Sequence, residues 1–324
     1  MDYSKIRGFN YQPSYASTSF ESWMFFDPQI WELEFRRGKD YFPGINALRL
    51  WLDWAAYIRN PERFVQNFAT AVELCDRICG AKALPCLFNR WHNDFLDCGG
   101  IYMEHFMPGW AWLNTSEHKF DKYICDVVSP FISDERILAW DVCNEPFTYN
   151  LPNPELDYVE ECEFQWLKHI SETIKATGAK QDVGISIHPH HHKRGLERVE
   201  PIEDVLFIHP YYEGALDDDA YKADWLKDKL DDMVAVSKAS GKPLLITEFG
   251  WGTIHNDLLR AQTLEYSMQE YCKRNIGFIA HALNHSLVAD LHDPEYGPAA
   301  GPGNLMFIGP DGKLRPHHDI FNKY

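Results

Sequence analysis

The feature that most constrains the fold is a regular alternation of short apolar segments with helical patterns. Eight segments of about five to eight residues have the continuous apolar character of buried strands. The predicted strands are Lys5–Tyr11, Ile45–Trp51, Ala83–Asn89, Ile137–Asn144, Asp182–His188, Val205–His209, Pro243–Glu248 and Gly277–Leu283.

Apolar residues at helical spacing lie between these segments. Asp27 and Pro28 open one helix, because an Asp N-cap followed by proline favours a helix start. The segment 190–203 is predicted to be either a short helix or a loop. Further helices are predicted over Pro61–Gly80 and near 114–128, 155–177, 219–239 and 256–274.

Strands of this kind, each followed by a helix, are typical of a parallel sheet whose outer face is covered. Eight such units in 324 residues predict an α/β fold, the (β/α)8 TIM barrel, as one domain over residues 1–324. An open doubly wound sheet would need a Gly-rich turn after the first strand, and none follows Tyr11. Because barrel active sites lie at the C-terminal ends of the strands, those ends carry the candidate residues.

Two of these ends carry a glutamate. Strand four runs into Asn144 and Glu145 before the break at Pro146, and strand seven ends at Glu248. A double-displacement glycosidase needs two carboxyl groups about 5–5.5 Å apart, one protonated and one ionised. Asn144 is placed to donate a hydrogen bond to a sugar hydroxyl beside them.

The other strand ends also carry polar or aromatic side chains, which are the candidate substrate-binding residues. Arg49 could supply positive charge to Glu248, or form a structural ion pair beneath the site. Tyr211 could donate a hydrogen bond to the same carboxylate. For His209 and Tyr211 the alternative is an ordinary loop residue, and for His188, expected on the sugar-binding face, it is a metal ligand. The remaining candidates are sugar contacts for which packing in the core or at the rim is the alternative, and they are Trp91, His92, Trp251 and His281.

Several of these motifs occur in the order seen in a known group of enzymes. They are Asn46-Ala-Leu-Arg49, Asn144-Glu-Pro146, His209-Pro-Tyr211, Glu248-Phe-Gly250 and the C-terminal Gly309–Pro316. The chain resembles glycoside hydrolase clan A, closest in style to the family 5 cellulases and mannanases. The resemblance implies that Glu145 is the acid/base and Glu248 the nucleophile.

The chain departs from that family at strand eight. Members commonly carry a tryptophan there as a platform under the sugar, whereas this strand contains His281 and no tryptophan. The sugar and the endo or exo mode of action therefore stay open.

Composition narrows the classes of partner. The 48 acidic residues outnumber the 31 basic ones, giving a net charge of −17. Such a charge disfavours nucleic acids and anionic membranes and suits a neutral glycoside or oligosaccharide as the partner. No apolar run reaches the roughly 18 residues that a membrane span needs. No signal peptide is visible and the eight cysteines form no Cys-x-x-Cys pair, which favours reduced thiols in a cytoplasmic protein. The oligomeric state is unknown from sequence.

Two other functions compete with a retaining glycosidase. One is a carbohydrate-binding barrel without turnover, although a protein of that kind has no need for both glutamates. The other is a metal-dependent barrel hydrolase, suggested by the histidines between His188 and His192. Adjacent histidines cannot all face one ion, so we predict no metal and no cofactor.

Overall fold

The strands close into a barrel. The computed structural model describes residues 1–90, 100–102, 105–107, 118–147, 154–189, 191–211, 224–250, 256–286 and 305–324. Within these ranges eight parallel strands pair in chain order, and the last pairs with the first. They are β1 Arg7–Tyr11, β2 Ala47–Trp51, β3 Lys82–Asn89, β4 Trp140–Asn144, β5 Val183–Ile187, β6 Leu206–Ile208, β7 Leu244–Ile246 and β8 Gly277–Ala280. The predicted (β/α)8 fold is confirmed, and only β3 extends beyond its predicted segment, by one residue.

Nine α-helices lie within the described ranges. They are α1 Ser19–Met24, α2 Pro28–Tyr41, α3 Trp54–Arg59, α4 Pro61–Leu74, α5 Asp121–Val128, α6 Pro154–Ala176, α7 His192–Val199, α8 Asp224–Ser240 and α9 Asp257–Lys273. Every predicted helix is present, and the ambiguous segment 190–203 contains the short helix α7. None of the described helices combines the length and the apolar character that crossing a bilayer requires.

The helices α1 and α3 were not predicted from sequence. Each has only six residues, too few for a hydrophobic period to show. Each is instead fixed at its start by a side chain that caps the helix. Thr18 accepts a hydrogen bond from the backbone of Glu21, and Asp53 accepts one from the backbone of Ala56.

The interior of the barrel is built in two layers. The lower layer is apolar and buried. Gly184 leaves room in this layer for the ring of Phe207, because a Cβ atom at position 184 would lie 2.5 Å from that ring. Its other members are Ala47, Leu84, Ala139, Leu245 and Ile279. Two residues further along each strand, on the same face, lies a polar layer. This polar layer comprises Asn10, Arg49, Cys86, Asp141, Ser186, His209, Thr247 and His281. Because every second residue of a strand faces the interior, the polar side chains lie above the apolar layer, at the mouth of the barrel.

The cysteines of the described residues are free thiols. Cys75, Cys79, Cys86 and Cys143 are buried, and Cys125 is exposed. Burial raises the pKa of the Cys79 thiol to about 12, so this thiol is protonated at neutral pH.

Candidate active site

Glu145 owes its position to an irregular end of β4. The pairing of β4 with β5 shifts in register between Asp141 and Asn144. Glu145 itself has a φ of 49°, in the left-handed region that costs a residue with a side chain about 1–3 kcal/mol. Its backbone N–H donates to the carbonyl of Ser186 at 2.8 Å, which holds this conformation. The turn places the carboxyl group in the barrel mouth, where the residue is 5% exposed.

Glu248 follows β7 and is equally buried, at 5% exposure. Arg49 Nη1 donates to its Oε1 at 2.6 Å, and the Tyr211 hydroxyl donates to its Oε2 at 2.9 Å. Burial alone would raise the pKa of Glu248, but His209, His281, Arg49 and the Tyr211 hydroxyl together lower it to about 2. The carboxyl group is therefore ionised at neutral pH.

Arg49 is the fully buried cation of the site. Its Nε and Nη2 both reach Asp141 Oδ2, at 2.9 and 2.8 Å, while Nη1 also donates to Asn10 Oδ1 at 2.9 Å. The residue thus forms ion pairs with both Asp141 and Glu248. One guanidinium pairs with two buried carboxylates, which lessens the cost of keeping these charges out of water and leaves one negative charge in excess.

Glu145 faces two histidines. His209 Nδ1 lies 2.6 Å from Glu145 Oε1, and His188 Nε2 lies 3.8 Å from Oε2. Burial and the neighbouring charge of Glu248 raise the pKa of Glu145 well above its ordinary value, against the influence of Arg49. Burial lowers the pKa of His209 to about 3, so this imidazole is neutral at pH 7. The permanent positive charge beside Glu248 is consequently that of Arg49.

Asn144 is oriented by its neighbours. Its Oδ1 accepts a hydrogen bond from Arg49 Nη2 at 2.9 Å, and its Nδ2 donates to Asn89 Oδ1 at 3.0 Å. These contacts fix which end of the amide points outward. An amide nitrogen carries two hydrogens, so within the described residues one N–H of Asn144 remains available to a ligand.

The structure brings together most of the residues predicted from sequence. Arg49, Asn144, Glu145, His209, Tyr211 and Glu248 form one connected set of contacts. His188 and His281 lie 3.8 Å from Glu145 and Glu248 respectively. The predicted sugar contacts at Trp91, His92 and Trp251 lie outside the described residues.

Arg49 and His209 are less open than the sequence suggested. Each is fully buried, and both ring nitrogens of His209 contact protein atoms, Glu145 and Thr247. They touch the two glutamates directly, whereas a sugar contact of either remains a prediction.

Sequence analysis missed the residues that support this set. Asn10, Asp141, Ser186 and Thr247 are buried polar residues of the barrel interior and hydrogen-bond one another or Arg49. All four lie in the polar layer, two residues beyond the apolar layer. Counting that period along each predicted strand would have identified them.

Two groups of side chains in the described ranges bring metal-ligating atoms within 4.8 Å of one another. One consists of Glu145, His209 and Glu248, and the other of His118, Asp121 and His169 on the outer helices. In the first group the Arg49 guanidinium already neutralises Glu248 at 2.6 Å. In the second, each imidazole lies within hydrogen-bond distance of Asp121, at 2.8 and 2.7 Å. From the histidine cluster, His188 lies near Glu145, and His190 and the side chain of His192 lie outside the described residues.

The chain was compared with known proteins. Residues 41–286 match the family model Cellulase (glycosyl hydrolase family 5). Mannan endo-1,4-β-mannosidase A of Podospora anserina is 23% identical over 193 residues, which cover 53% of this chain and 47% of that protein. The chain therefore spans about half the length of this curated relative.

Solved structures share the fold at low sequence identity. An exo-β-1,4-mannosidase from Opitutaceae bacterium strain TAV5 superposes with a TM-score of 0.72 at 14% identity, over 98% of this chain and 58% of that one. A family 5 enzyme of Streptomyces cattleya, in complex with Manβ1-4GlcNAc, gives a TM-score of 0.71 at 12% identity, over 98% and 79%. The family model covers well over half of the chain and agrees with the motifs at the strand ends, so the chain belongs to glycosyl hydrolase family 5.

Proposed function

We propose that the chain is a retaining glycoside hydrolase that cleaves a β-linked neutral glycoside or oligosaccharide by double displacement. Glu145 is the acid/base and Glu248 the nucleophile. The observation that carries this proposal is the distance between the two glutamates. A carboxylate oxygen of Glu145 and a carboxylate oxygen of Glu248 lie within 4.8 Å of each other. Such spacing suits the roughly 5–5.5 Å separation of carboxyl groups in retaining enzymes better than the 6.5–9.5 Å of inverting ones.

The protonation of the pair fits the first step. A Glu248 oxygen forms a bond to the anomeric carbon as the bond to the leaving oxygen breaks, and that oxygen takes the proton of Glu145. The low pKa of Glu248 keeps the nucleophile ionised, and the raised pKa of Glu145 keeps the acid protonated.

The second step reverses these roles. Esterification removes the charge of Glu248, which lowers the pKa of Glu145 and suits it to act as a base. Water then loses a proton to Glu145, its oxygen bonds to the anomeric carbon, and the bond to Glu248 breaks.

Two buried nitrogens support a sugar site beside Glu248. His281 Nδ1 and Trp51 Nε1 have no hydrogen-bond partner within the described residues. A buried polar atom without a partner costs about 1–3 kcal/mol, which a sugar hydroxyl could recover. His281 Nδ1 lies 3.8 Å from Glu248 Oε1, close to where the anomeric carbon would sit. His281 thus replaces the family's flat platform by a polar contact, and Asn144 offers its remaining N–H to the 2-hydroxyl.

The names of related proteins suggest which sugar substrates to test first. The curated relative and one structural relative are named as β-mannosidases, so β-mannosides are the first substrates to test, followed by β-glucosides and β-galactosides. We propose His188 as a sugar contact, and Trp91, His92 and Trp251, which lie outside the described residues, remain predicted sugar contacts.

A panel of aryl β-glycosides tests the proposal, with the anomer of the first-formed product read by NMR. We expect turnover with retained configuration and no loss of rate in the presence of a chelator. Measurable sugar binding without turnover of any glycoside would favour the binding-protein alternative, and loss of rate with the chelator would favour the metal hydrolase.

A further inference from the structure

A row of short hydrogen bonds crosses the barrel beneath the two glutamates. Ser186 Oγ lies 2.7 Å from Asp141 Oδ2 and 2.8 Å from Thr247 Oγ1. Thr247 Oγ1 lies 3.1 Å from His209 Nε2, and His209 Nδ1 lies 2.6 Å from Glu145 Oε1. All five residues are at most 5% exposed. The row therefore links the ion pair of Asp141 to the acid/base without a gap.

The hydrogen bonds of this row can have only one order of donors and acceptors. Asp141 Oδ2 pairs with the Arg49 guanidinium at 2.8 Å and acts as an acceptor, so Ser186 must donate to it. A hydroxyl has a single hydrogen. Thr247 must therefore donate to Ser186, and its own oxygen is left to accept from His209 Nε2–H.

This order decides which nitrogen of His209 carries the hydrogen. A neutral imidazole has one N–H and one bare nitrogen. With Nε2 as the donor, Nδ1 is bare and faces Glu145 Oε1 at 2.6 Å. Two acceptors at this distance need a proton between them, and with a neutral imidazole that proton belongs to Glu145.

We propose that Ser186 and Thr247 are positioning residues that hold His209 as its Nε2–H tautomer, so that its bare Nδ1 keeps the acid proton on Glu145. This inference rests on the proposed function and extends it to residues that touch no substrate. The other tautomer would donate its Nδ1–H to the carboxylate and stabilise the anion, so Glu145 would have no proton to give at neutral pH.

The same arrangement assists the second step. When Glu145 has given its proton to the leaving oxygen, its anionic Oε1 faces the lone pair of His209 Nδ1. That repulsion makes the carboxylate a stronger acceptor for the proton of the attacking water. The tautomer therefore serves both halves of the reaction.

Several charged or titratable groups face Glu145 from other strands, and they stay in place in variants of the two hydroxyl residues. They are Arg49 on β2, His188 after β5, His209 and Tyr211 after β6 and Glu248 after β7. His281 after β8 faces Glu248 and also stays in place. Removing a hydroxyl changes none of these charges. A shift in the pH profile of such a variant therefore reports on the tautomer.

The direct test is ¹⁵N NMR of the imidazoles in the full chain. The His209 signals among the 15 histidines are assigned by their loss in a His209→Asn variant. We expect the Nε2–H tautomer at neutral pH, and observation of the Nδ1–H tautomer would overturn the proposal. This measurement needs no turnover, so it decides the tautomer even if the proposed glycosidase activity fails.

The kinetic test compares Thr247→Val with Thr247→Ser. Valine keeps the shape but removes the acceptor, so His209 turns its hydrogen towards Glu145. The basic limb of the pH profile of kcat/KM, where Glu145 loses its proton, should then move to lower pH by about one unit. Serine should restore the wild-type limb, and Ser186→Ala should shift it less than valine does. A uniform loss of rate with an unmoved basic limb in Thr247→Val would overturn the proposal. Should that variant fail to fold, the limb of Ser186→Ala and the NMR spectrum decide the question.

Discussion

The two glutamates at the barrel mouth have the same side chain, the same burial and pKa values shifted in opposite directions. Glu145 and Glu248 are each 5% exposed, follow an apolar strand, and lie near the same imidazole of His209. Burial by itself would raise the pKa of both. His209, His281, Arg49 and the Tyr211 hydroxyl lower the pKa of Glu248, whereas the negative charge of Glu248 raises the pKa of Glu145 further. The comparison shows that the difference in pKa between two equally buried carboxyl groups comes from their partners.

The largest expected effect separates the two glutamates by chemistry. Removing a residue central to the reaction costs on the order of 10⁴–10⁶-fold in rate. Glu248→Ala should lose turnover by this amount on every glycoside, and azide should restore it by direct attack to give the inverted glycosyl azide.

Glu145→Ala is the matched comparison. It should lose about 10²–10⁴-fold on poor leaving groups and much less on nitrophenolate, which needs no proton. Azide should give the retained glycosyl azide, because Glu248 still forms the covalent intermediate. Wild-type rates in Glu248→Ala, or azide products of the opposite configuration, would mean that the roles are assigned wrongly.

Arg49 contributes to the difference in pKa between the two glutamates and forms buried ion pairs with Asp141 and Glu248. Arg49→Leu leaves Asp141 and Glu248 as buried carboxylates without their shared cation. We expect it to lower the free energy of unfolding by about 3–5 kcal/mol, measured by urea denaturation.

Arg36→Leu is the control for this substitution. Arg36 forms a surface ion pair with Glu32 and its side chain is 57% exposed, so its loss should cost no more than about 1 kcal/mol. Equal costs at the two positions would show that the buried ion pairs of Arg49 do not stabilise the fold.

The Tyr211 hydroxyl makes a smaller contribution to the difference in pKa between the two glutamates. A hydrogen bond to a charged group is worth about 1.5–3 kcal/mol, so Tyr211→Phe should lower kcat/KM by roughly 10- to 100-fold. Because the hydroxyl lowers the pKa of Glu248, its loss should also move the acid limb of the pH profile to higher pH. Tyr271→Phe is the matched control, since the buried Tyr271 hydroxyl donates to the carbonyl of Pro210 and should leave that limb unchanged.

The smallest effect is a pair of opposite pH dependences of stability. The pKa of Glu248 is lower in the folded state than in the unfolded one, so its stabilisation is present above about pH 4.3 and lost as the pH falls towards 2. Glu248→Gln should therefore be most destabilising near neutral pH. Glu145 has a raised pKa when folded, so the wild type loses stability as the pH rises above about 4.3 and Glu145→Gln gains relative to it.

Urea unfolding at a series of pH values measures these two dependences. We expect differences on the order of 1–3 kcal/mol with slopes of opposite sign. Parallel slopes for the two glutamine variants would contradict the assignment of opposite proton states to the glutamates.

The sequence predicted the strands well because a strand buried on both faces must be apolar along its length. It predicted Glu145 and Glu248 because both stand where an apolar run stops. It did not reveal α1 and α3, whose six residues are fixed by the caps at Thr18 and Asp53. Nor did it reveal Asp141, Ser186 and Thr247, each of which looks like an ordinary polar residue within a strand.

The sequence by itself determined the barrel and the two carboxyl groups, because hydrophobic period and strand ends are local properties of the chain. Only the tertiary structure decided which carboxyl keeps a proton. That decision depends on contacts across large separations in sequence, such as Arg49 with Glu248 and Thr247 with His209. Electrostatic interactions fall off with distance and depend on burial, so the order of residues along the chain does not fix them until the barrel closes.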